Sequence, residues 1–351
     1  MTLPIILSVD AMGGDEGPQV TLAGLELFRQ SRPDGIHYQL HGDAAKIKPL
    51  LAGYPELAGV SEIQHADAEI TMHDKPGQIA RRAKGTSMGN AVLAVKDGVA
   101  NAAVSAGNTG ALMAIAMMTL KRMKGVKRPG MTALWPTPKG MSVVLDVGAN
   151  MEADAEQLLR LAIMGESYAR AVTGKKGPTI GLLNIGTEDT KGPDRIREAA
   201  TLISQPVHGL NFKGFVEGND ISEGTVDVIV TDGFAGNIAL KTAEGTARLV
   251  GGFVRSALTR SIMTKLGAVI AASGLKWLRH EMNPSRVNGG VLLGLNGLVV
   301  KSHGGTDAEG FANAVRLAAD LAVSNYAEEV AQGLARIAAK SDAPPVNGAE
   351  Y

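Results

Sequence analysis

Cysteine is absent from the 351-residue chain, which excludes disulfides, thiolate metal ligands and a cysteine nucleophile. Aromatic residues make up only 4%, so a core must be packed from Ala, Val, Leu, Ile and Met. Neither sign of charge is in excess, since Lys+Arg and Asp+Glu number 35 each. A global basic field for nucleic acid is thereby excluded, although local cationic patches are not. Long apolar runs are missing too. The longest uncharged stretch, Gly98 to Leu120, is interrupted by Asn101, Ser105, Gly107, Asn108, Thr109 and Gly110. It reads as a buried strand, turn and helix rather than a membrane span. The segment Met1 to Asp10 has no basic flank and too short an apolar run for a signal peptide, so a cytoplasmic location is expected. Several chemistries lack their motif: there is no G-x-x-x-x-G-K-[ST], no G-x-G-x-x-G after the first strand, no H-E-x-x-H and no G-x-S-x-G. No cluster calls for a metal or cofactor.

What the chain does have is one recurring pattern: a short apolar run, a cluster of Gly, Asn or Asp, then residues at helical spacing. Ile5–Val9 leads into Asp10 to Pro18, Ala102–Val104 into Ser105 to Gly110, and Val143–Leu145 into Asp146 to Asn150. Thr179–Leu183 leads into Asn184 to Gly192, and Val226–Val230 into Thr231 to Asn237. Such units predict an α/β fold with a largely parallel sheet flanked by helices, its ligand lying beyond the carboxyl ends of the strands. Residues 1–340 are expected to form a single two-lobed α/β domain, with 341–351 a frayed tail. Between Gly245 and His280 there is no acid, while Arg248, Arg255, Arg260, Lys265, Lys276 and Arg279 alternate with apolar residues. A cationic amphipathic helical hairpin over 245–285 is the expectation, used as a dimer interface or core helix pair, or against an anionic membrane surface or acidic partner. A second basic patch comprises Lys121, Arg122, Lys124, Lys127 and Arg128.

The loops carry the chemistry. Small residues let backbone N–H groups approach an anion, and helix N-termini add positive potential, so phosphate is the natural guest. Gly13 and Gly14 can form a backbone nest or merely a tight turn. Ser105, Gly107, Asn108, Thr109 and Gly110 offer hydroxyls, an amide and glycines at a helix start, or ordinary capping. Lys191 follows an apolar strand in Thr187 to Gly192, and His303-Gly-Gly-Thr-Asp307 precedes the last long helix.

Several stretches carry a resemblance: Val9-Asp-Ala-Met-Gly-Gly-Asp15, Val104-Ser-Ala-Gly-Asn-Thr-Gly-Ala-Leu-Met113, Leu145-Asp-Val-Gly-Ala-Asn150 and Gly181-Leu-Leu-Asn-Ile-Gly-Thr-Glu188. Glu217-Gly-Asn-Asp-Ile221, Thr231-Asp-Gly-Phe-Ala-Gly-Asn237 and His303-Gly-Gly-Thr-Asp307 continue it. In this order, over roughly residues 5 to 330, the chain resembles the acyl-acyl-carrier-protein:phosphate acyltransferase family of bacterial phospholipid synthesis. Asp232 to Lys241, Thr190-Lys-Gly192 and Ala155 to Leu158 are also similar to the phosphate acetyl- and butyryltransferases, implying the fold those share with isocitrate-dehydrogenase-like enzymes. One departure is Glu16, where the family pattern commonly has His, so no general-base role is carried over there.

The resemblance implies transfer of a fatty acyl group from acyl carrier protein to inorganic phosphate, giving acyl phosphate, without a cofactor. It implies direct attack, with an acyl-serine on Ser105 as the alternative. By the same resemblance, Gly13, Gly14, Ser105, Gly107, Asn108, Thr109 and Gly110 are candidate phosphate-binding residues. Lys191, Asn237, Asp232 and Asn184 are candidate catalytic residues. Arg255, Arg260, Lys265, Lys276 and Arg279 are candidate contacts to the acidic carrier protein or to a membrane, and a homodimer is expected. The rivals are a short-chain acyl-coenzyme A transferase, a nicotinamide-dependent dehydrogenase on the same fold, and a membrane-surface scaffold without catalysis.

Overall fold

The computed structural model describes residues 4–32, 34–71, 74, 83–281 and 283–341. The amino-terminal part runs β1 (Ile5–Asp10), α1 (Pro18–Ser31), β2 (Ile36–Gly42), α2 (Ala44–Leu51), α3 (Pro55–Gly59), β3 (Ser61–His65), α4 (Ser87–Lys96), β4 (Ala102–Ser105) and α5 (Thr109–Leu120). Next come β5 (Gly130–Thr137), β6 (Gly140–Leu145), α6 (Ala155–Thr173), β7 (Thr179–Leu183), α7 (Asp194–Ile203), β8 (Asn211–Val216), α8 (Gly218–Glu223) and β9 (Val228–Val230). The chain ends with α9 (Gly233–Thr259), α10 (Ile262–Ile270), α11 (Ala272–Glu281), β10 (Gly290–Leu293), β11 (Leu298–Lys301), α12 (Ala308–Ala322) and α13 (Tyr326–Ser341).

The strands form one sheet in the order β3-β2-β1-β4-β11-β10-β5-β6-β9-β7-β8. Pairing is antiparallel only at β11–β10, β10–β5 and β5–β6. The sheet therefore has two parallel halves that run in opposite directions, joined through β10 and β5. This modifies the expectation of a single carboxyl edge. The loops after β1, β4 and β11 end one half, and those after β6, β9 and β7 end the other. Only β10–β5 joins strands far apart in sequence; β5–β6 and β10–β11 are hairpins of consecutive strands, which a search for strand, loop and helix units passes over.

Local chemistry explains the boundaries. Pro18 opens α1, and Asn108, Asp154, Asp232 and Asp307 cap α5, α6, α9 and α12 by accepting a backbone N–H of the first turn, each cap contributing about 1 kcal/mol. The strands β4 and β9 are buried along their whole length, as expected where helices cover both faces. Leu, Val, Ile and Ala dominate the core, with Phe28, Tyr38, Tyr168 and Phe311 as its largest members. Gly24 lets α1 press onto α12: a Cβ there would lie 2.8 Å from both the Ala308 carbonyl oxygen and the Phe311 Cβ.

The predicted hairpin is a long helix followed by two short ones. Apart from Gly233 and Gly236, no residue of α9 is buried. The return arm breaks because Ser261 caps a new helix, accepting from the Thr264 N–H at 3.1 Å, and a further helix starts at Ala272. The predicted tail at 341–351 lies, beyond Ser341, outside the described residues.

One buried group sets an acid limit on this fold. His41, on β2, meets the Ser8 hydroxyl at 2.8 Å through Nε2, and burial pulls its pKa down to about 4. The unfolded chain takes up that proton near pH 6.5, the folded one only near 4, so stability falls as pH drops through this window. The expected loss is about 3 kcal/mol at most. Urea denaturation at neutral pH and near pH 4.5 should show a clearly shallower dependence for His41→Leu than for the unsubstituted chain. Equal slopes would refute the assignment.

Candidate active site

The carboxyl ends of β1 and β4 are tied together below the surface. Asp10 is buried and accepts from the Ser105 hydroxyl at 2.6 Å. The same Ser105 Oγ accepts from the Gly107 N–H at 3.0 Å. Burial pushes the Asp10 carboxyl up, against hydrogen bonds from Ser105, Ser87 and the Met12 N–H. Gly13 packs onto this knot so closely that a Cβ would stand 2.7 Å from Asp10 Oδ2 and from the Gly107 nitrogen. Gly14, at φ +97°, turns the chain against the loop after β11, where the Asp15 N–H donates to the Gly304 carbonyl at 2.9 Å. A Ser105 hydroxyl that is buried and already donating to Asp10 is not an exposed nucleophile, which removes the acyl-serine alternative.

The end of β6 is organised by Asp146. Its Oδ1 accepts from the N–H groups of Met131, Gly148 and Ala149 at 3.1, 3.1 and 2.9 Å. Its Oδ2 accepts from the Asn150 N–H and side-chain amide, both at 2.7 Å. Burial raises the Asp146 pKa, and these donors oppose the shift. The first turn of α9 rests directly on this loop. A Cβ on Gly233 would lie 2.6 Å from the Asn150 carbonyl oxygen, and one on Gly236 would lie 1.9 Å from that of Asp146. Asn237 follows, donating from Nδ2 to the Val147 carbonyl at 3.0 Å.

Between these two constructions lies a cleft of about 340 Å³. Its polar lining comes from Thr109 and Gly110 at the start of α5, Asn237 and Lys241 on α9, and Lys301, Ser302 and His303. Met113, Met131, Leu134, Val147 and Leu240 supply an apolar lining. Glu244 gathers the outer polar groups, with Lys241 at 3.0 Å, Arg248 at 3.9 Å and the His303 ring, whose pKa burial lowers, at 3.7 Å. Lys301 is 8% exposed. Its ammonium donates to the carbonyls of Ala106, at 3.3 Å, and Ser302, and burial pulls its pKa down to about 8.

Thr109, Gly110 and Asn237 are the sequence-predicted residues that line this cleft. Gly13, Gly14, Ser105 and Gly107 form the packed layer behind it, and Asn108 caps α5, its Oδ1 accepting from the Ala111 N–H at 3.0 Å. Asp232 caps α9 and holds Arg195 at 2.9 Å. Asn184 lies at the end of β7, where its amide donates to the Lys191 carbonyl at 3.2 Å and shapes the turn. Lys191 itself is exposed on that turn. The cleft lining thus brings together only part of the predicted set. Sequence reasoning missed Asp10, Asp146 and Glu244 as organisers and Lys301 as a lining residue. For Asp10 and Asp146 the signal was present, an Asp followed by small residues at a strand end.

Comparison with known proteins bears on what this cleft serves. Residues 5–329 match the family model described as "Fatty acid synthesis protein". A phosphate acyltransferase of Caulobacter vibrioides is 52% identical over 343 residues, covering 98% of this chain and 95% of the relative. One from Maricaulis maris is 54% identical over 340 residues, covering 96% and 97%. The chain belongs to this phosphate acyltransferase family of fatty acid and phospholipid synthesis. It is an enzyme of the acyltransferase class. Solved phosphotransacetylases share its fold: that of Streptococcus pyogenes has a TM-score of 0.61 at 18% identity, covering 91% of this chain and 94% of that one. The EutD phosphotransacetylase of Staphylococcus aureus has a TM-score of 0.59 at 19% identity with the same coverage. The fold expectation is met. Among the described residues, no helix is long and apolar enough to cross a membrane.

Proposed function

We propose that the chain transfers a fatty acyl group from the thioester of acyl carrier protein to inorganic phosphate. The observation that carries this reading is the two-sided lining of the cleft. Its cationic and N–H-rich end suits phosphate, and its methionine and leucine side suits an acyl chain. A phosphate oxygen attacks the thioester carbonyl carbon, the C–S bond breaks, and the thiolate leaves with the electron pair, giving acyl phosphate. A thiolate with a pKa near 8.5 leaves with little proton assistance. Catalysis then consists of holding phosphate in line and stabilising the tetrahedral oxyanion. Neither task requires a cofactor.

In this reading Thr109 and Gly110 offer phosphate a hydroxyl and helix-start N–H groups. Asn237 donates its second amide N–H to the oxyanion, and Asp232 and Asn184 hold the α9 start and the Lys191 turn in place. Lys191, on its exposed turn and outside the cleft lining, reaches the reacting phosphate only if that turn moves toward the cleft. The α9–α11 hairpin is the docking region. Phe253, Ile262, Met263, Val269, Ile270 and Trp277 are exposed there, Ile270 at 85%, and such a patch marks an interaction surface. Self-association into a homodimer and contact of Arg255, Arg260, Lys265, Lys276 and Arg279 with the acidic carrier protein or an anionic membrane are its expected uses. The Lys121–Arg128 patch suits this less, because Lys127 is already paired with Glu156 at 2.8 Å.

The deciding experiment supplies long-chain acyl carrier protein and phosphate without added metal. Release of the carrier thiol is followed, and acyl phosphate is trapped as hydroxamate. Phosphate-dependent release at catalytic enzyme levels supports the reading. Turnover with acyl-coenzyme A alone would replace the donor, and silence with both donors would leave a non-catalytic surface role.

A further inference from the structure

Among the described residues, Lys301 is the only lysine or arginine with less than a tenth of its surface exposed. Withdrawing an ammonium from water is costly, and a buried cation is normally repaid by a paired carboxylate. Here none of the described carboxylates comes within 4.0 Å of it, and its ammonium donates to two backbone carbonyls, those of Ala106 and Ser302. The position is nevertheless fixed by the sheet, where Lys301 ends β11 in register with Ser105 of β4 and Gly290 of β10. It therefore stands at the carboxyl edge beside Thr109 and Gly110, with which it lines the cleft.

We propose that Lys301 is the cation that receives the attacking phosphate, donating an N–H to a non-attacking phosphate oxygen and keeping its proton throughout transfer. This deepens the phosphate acyl-transfer reading and rests on it. Three arguments support it. Glu244 already offsets the other cleft lysine, Lys241, and burial lowers the pKa of His303, which keeps its ring largely neutral at neutral pH, so the uncompensated positive charge is that of Lys301. The first turn of α5 presents its N–H groups on the same side, which adds to the field an anion would meet. Finally, a charge-assisted bond to an ammonium that is only 8% exposed is stronger than one in water. The charged and titratable groups around Lys301 are Asp10 at the end of β1, Asp15 in the following loop, Lys241 and Glu244 of α9, and His303, whose pKa burial lowers. Asp10 and Asp15 draw its pKa up, while burial and Lys241 draw it down. The stretches of β5 and β10 that line the cleft contribute no charge.

The test is calorimetric titration of inorganic phosphate into the full chain, from about pH 6.5 to about pH 9.5, with Lys301→Met and Lys241→Met alongside. In the unsubstituted chain the phosphate Kd should rise roughly tenfold per unit above pH 8 as the ammonium is lost. Lys301→Met should weaken binding at least about 30-fold at neutral pH and abolish the alkaline limb, while its KM for acyl carrier protein changes little. Because the buried charge is replaced by an isosteric apolar chain, its melting temperature should not fall. Lys241→Met should retain the limb. Phosphate affinity within threefold of the parent and an intact limb in Lys301→Met would overturn the assignment while leaving acyl transfer standing. Carrier-thiol release by the unsubstituted chain is measured in parallel. If that chain neither binds phosphate nor releases thiol, the acyl-transfer reading fails and this inference with it.

Discussion

Asp146→Asn should unfold at markedly lower denaturant concentration than the parent chain, at a cost of about 4 kcal/mol. The substitution keeps shape and volume and changes only one acceptor into a donor. All five partners of the Asp146 carboxylate are N–H groups, three on Oδ1 and two on Oδ2. An amide can keep its oxygen toward the group of three. Its NH2 then confronts the two N–H groups from Asn150, which are left buried and unpaired. Each such donor costs about 1–3 kcal/mol, and the repulsion between facing donors adds to that. The damage extends to the cleft, because the Gly233 and Gly236 turn of α9 rests on the carbonyls of this loop, so phosphate-dependent turnover should fall with stability. Equilibrium unfolding by circular dichroism gives the stability, and a midpoint unchanged from the parent would show that the network is dispensable.

The Asp146 loop also shows what a sequence makes legible. A strand followed by Asp and then small residues reads as a turn at a strand end, and both Asp10 and Asp146 could be located that way. Asn237 was found through the resemblance of Thr231–Asn237 to the family's motif rather than from any local structural mark. Lys301 has no such local mark. It is one lysine after an apolar run, a pattern that usually ends in solvent. Its burial is decided by the loop after β4, 195 residues away in sequence where its ammonium meets the Ala106 carbonyl. The joining of the two halves was hidden for the same reason, since β10 pairs with β5 far upstream in sequence, while the β5–β6 and β10–β11 hairpins are local but carry no intervening helix. The helical character of 245–281 was legible from spacing, whereas the break at Ser261 needed a capping box that reads from sequence as an ordinary serine and threonine.

Asn237→Ala should lower turnover by about 100-fold or more while leaving the fold close to its original stability. Asn237 is partly exposed at the cleft, and one of its amide protons is committed to the Val147 carbonyl. The other proton has no partner among the described residues and is free for a substrate oxygen. Removal of the side chain leaves the Val147 carbonyl within reach of cleft water, so the stability cost should stay near 1 kcal/mol. The catalytic loss is larger because a fixed donor needs no reorganisation when the oxyanion forms, whereas replacement water must be oriented at that moment. The kinetic signature follows from this. A group used mainly in the transition state lowers kcat and kcat/KM together, and KM for phosphate should move little. Lys301→Met should do the reverse, raising KM for phosphate first. Near-normal kcat in a folded Asn237→Ala protein would remove Asn237 from the chemistry. A large rise in phosphate KM at constant kcat would instead make it a second phosphate ligand beside Lys301, and the two substitutions combined in a double-mutant cycle would then be strongly non-additive.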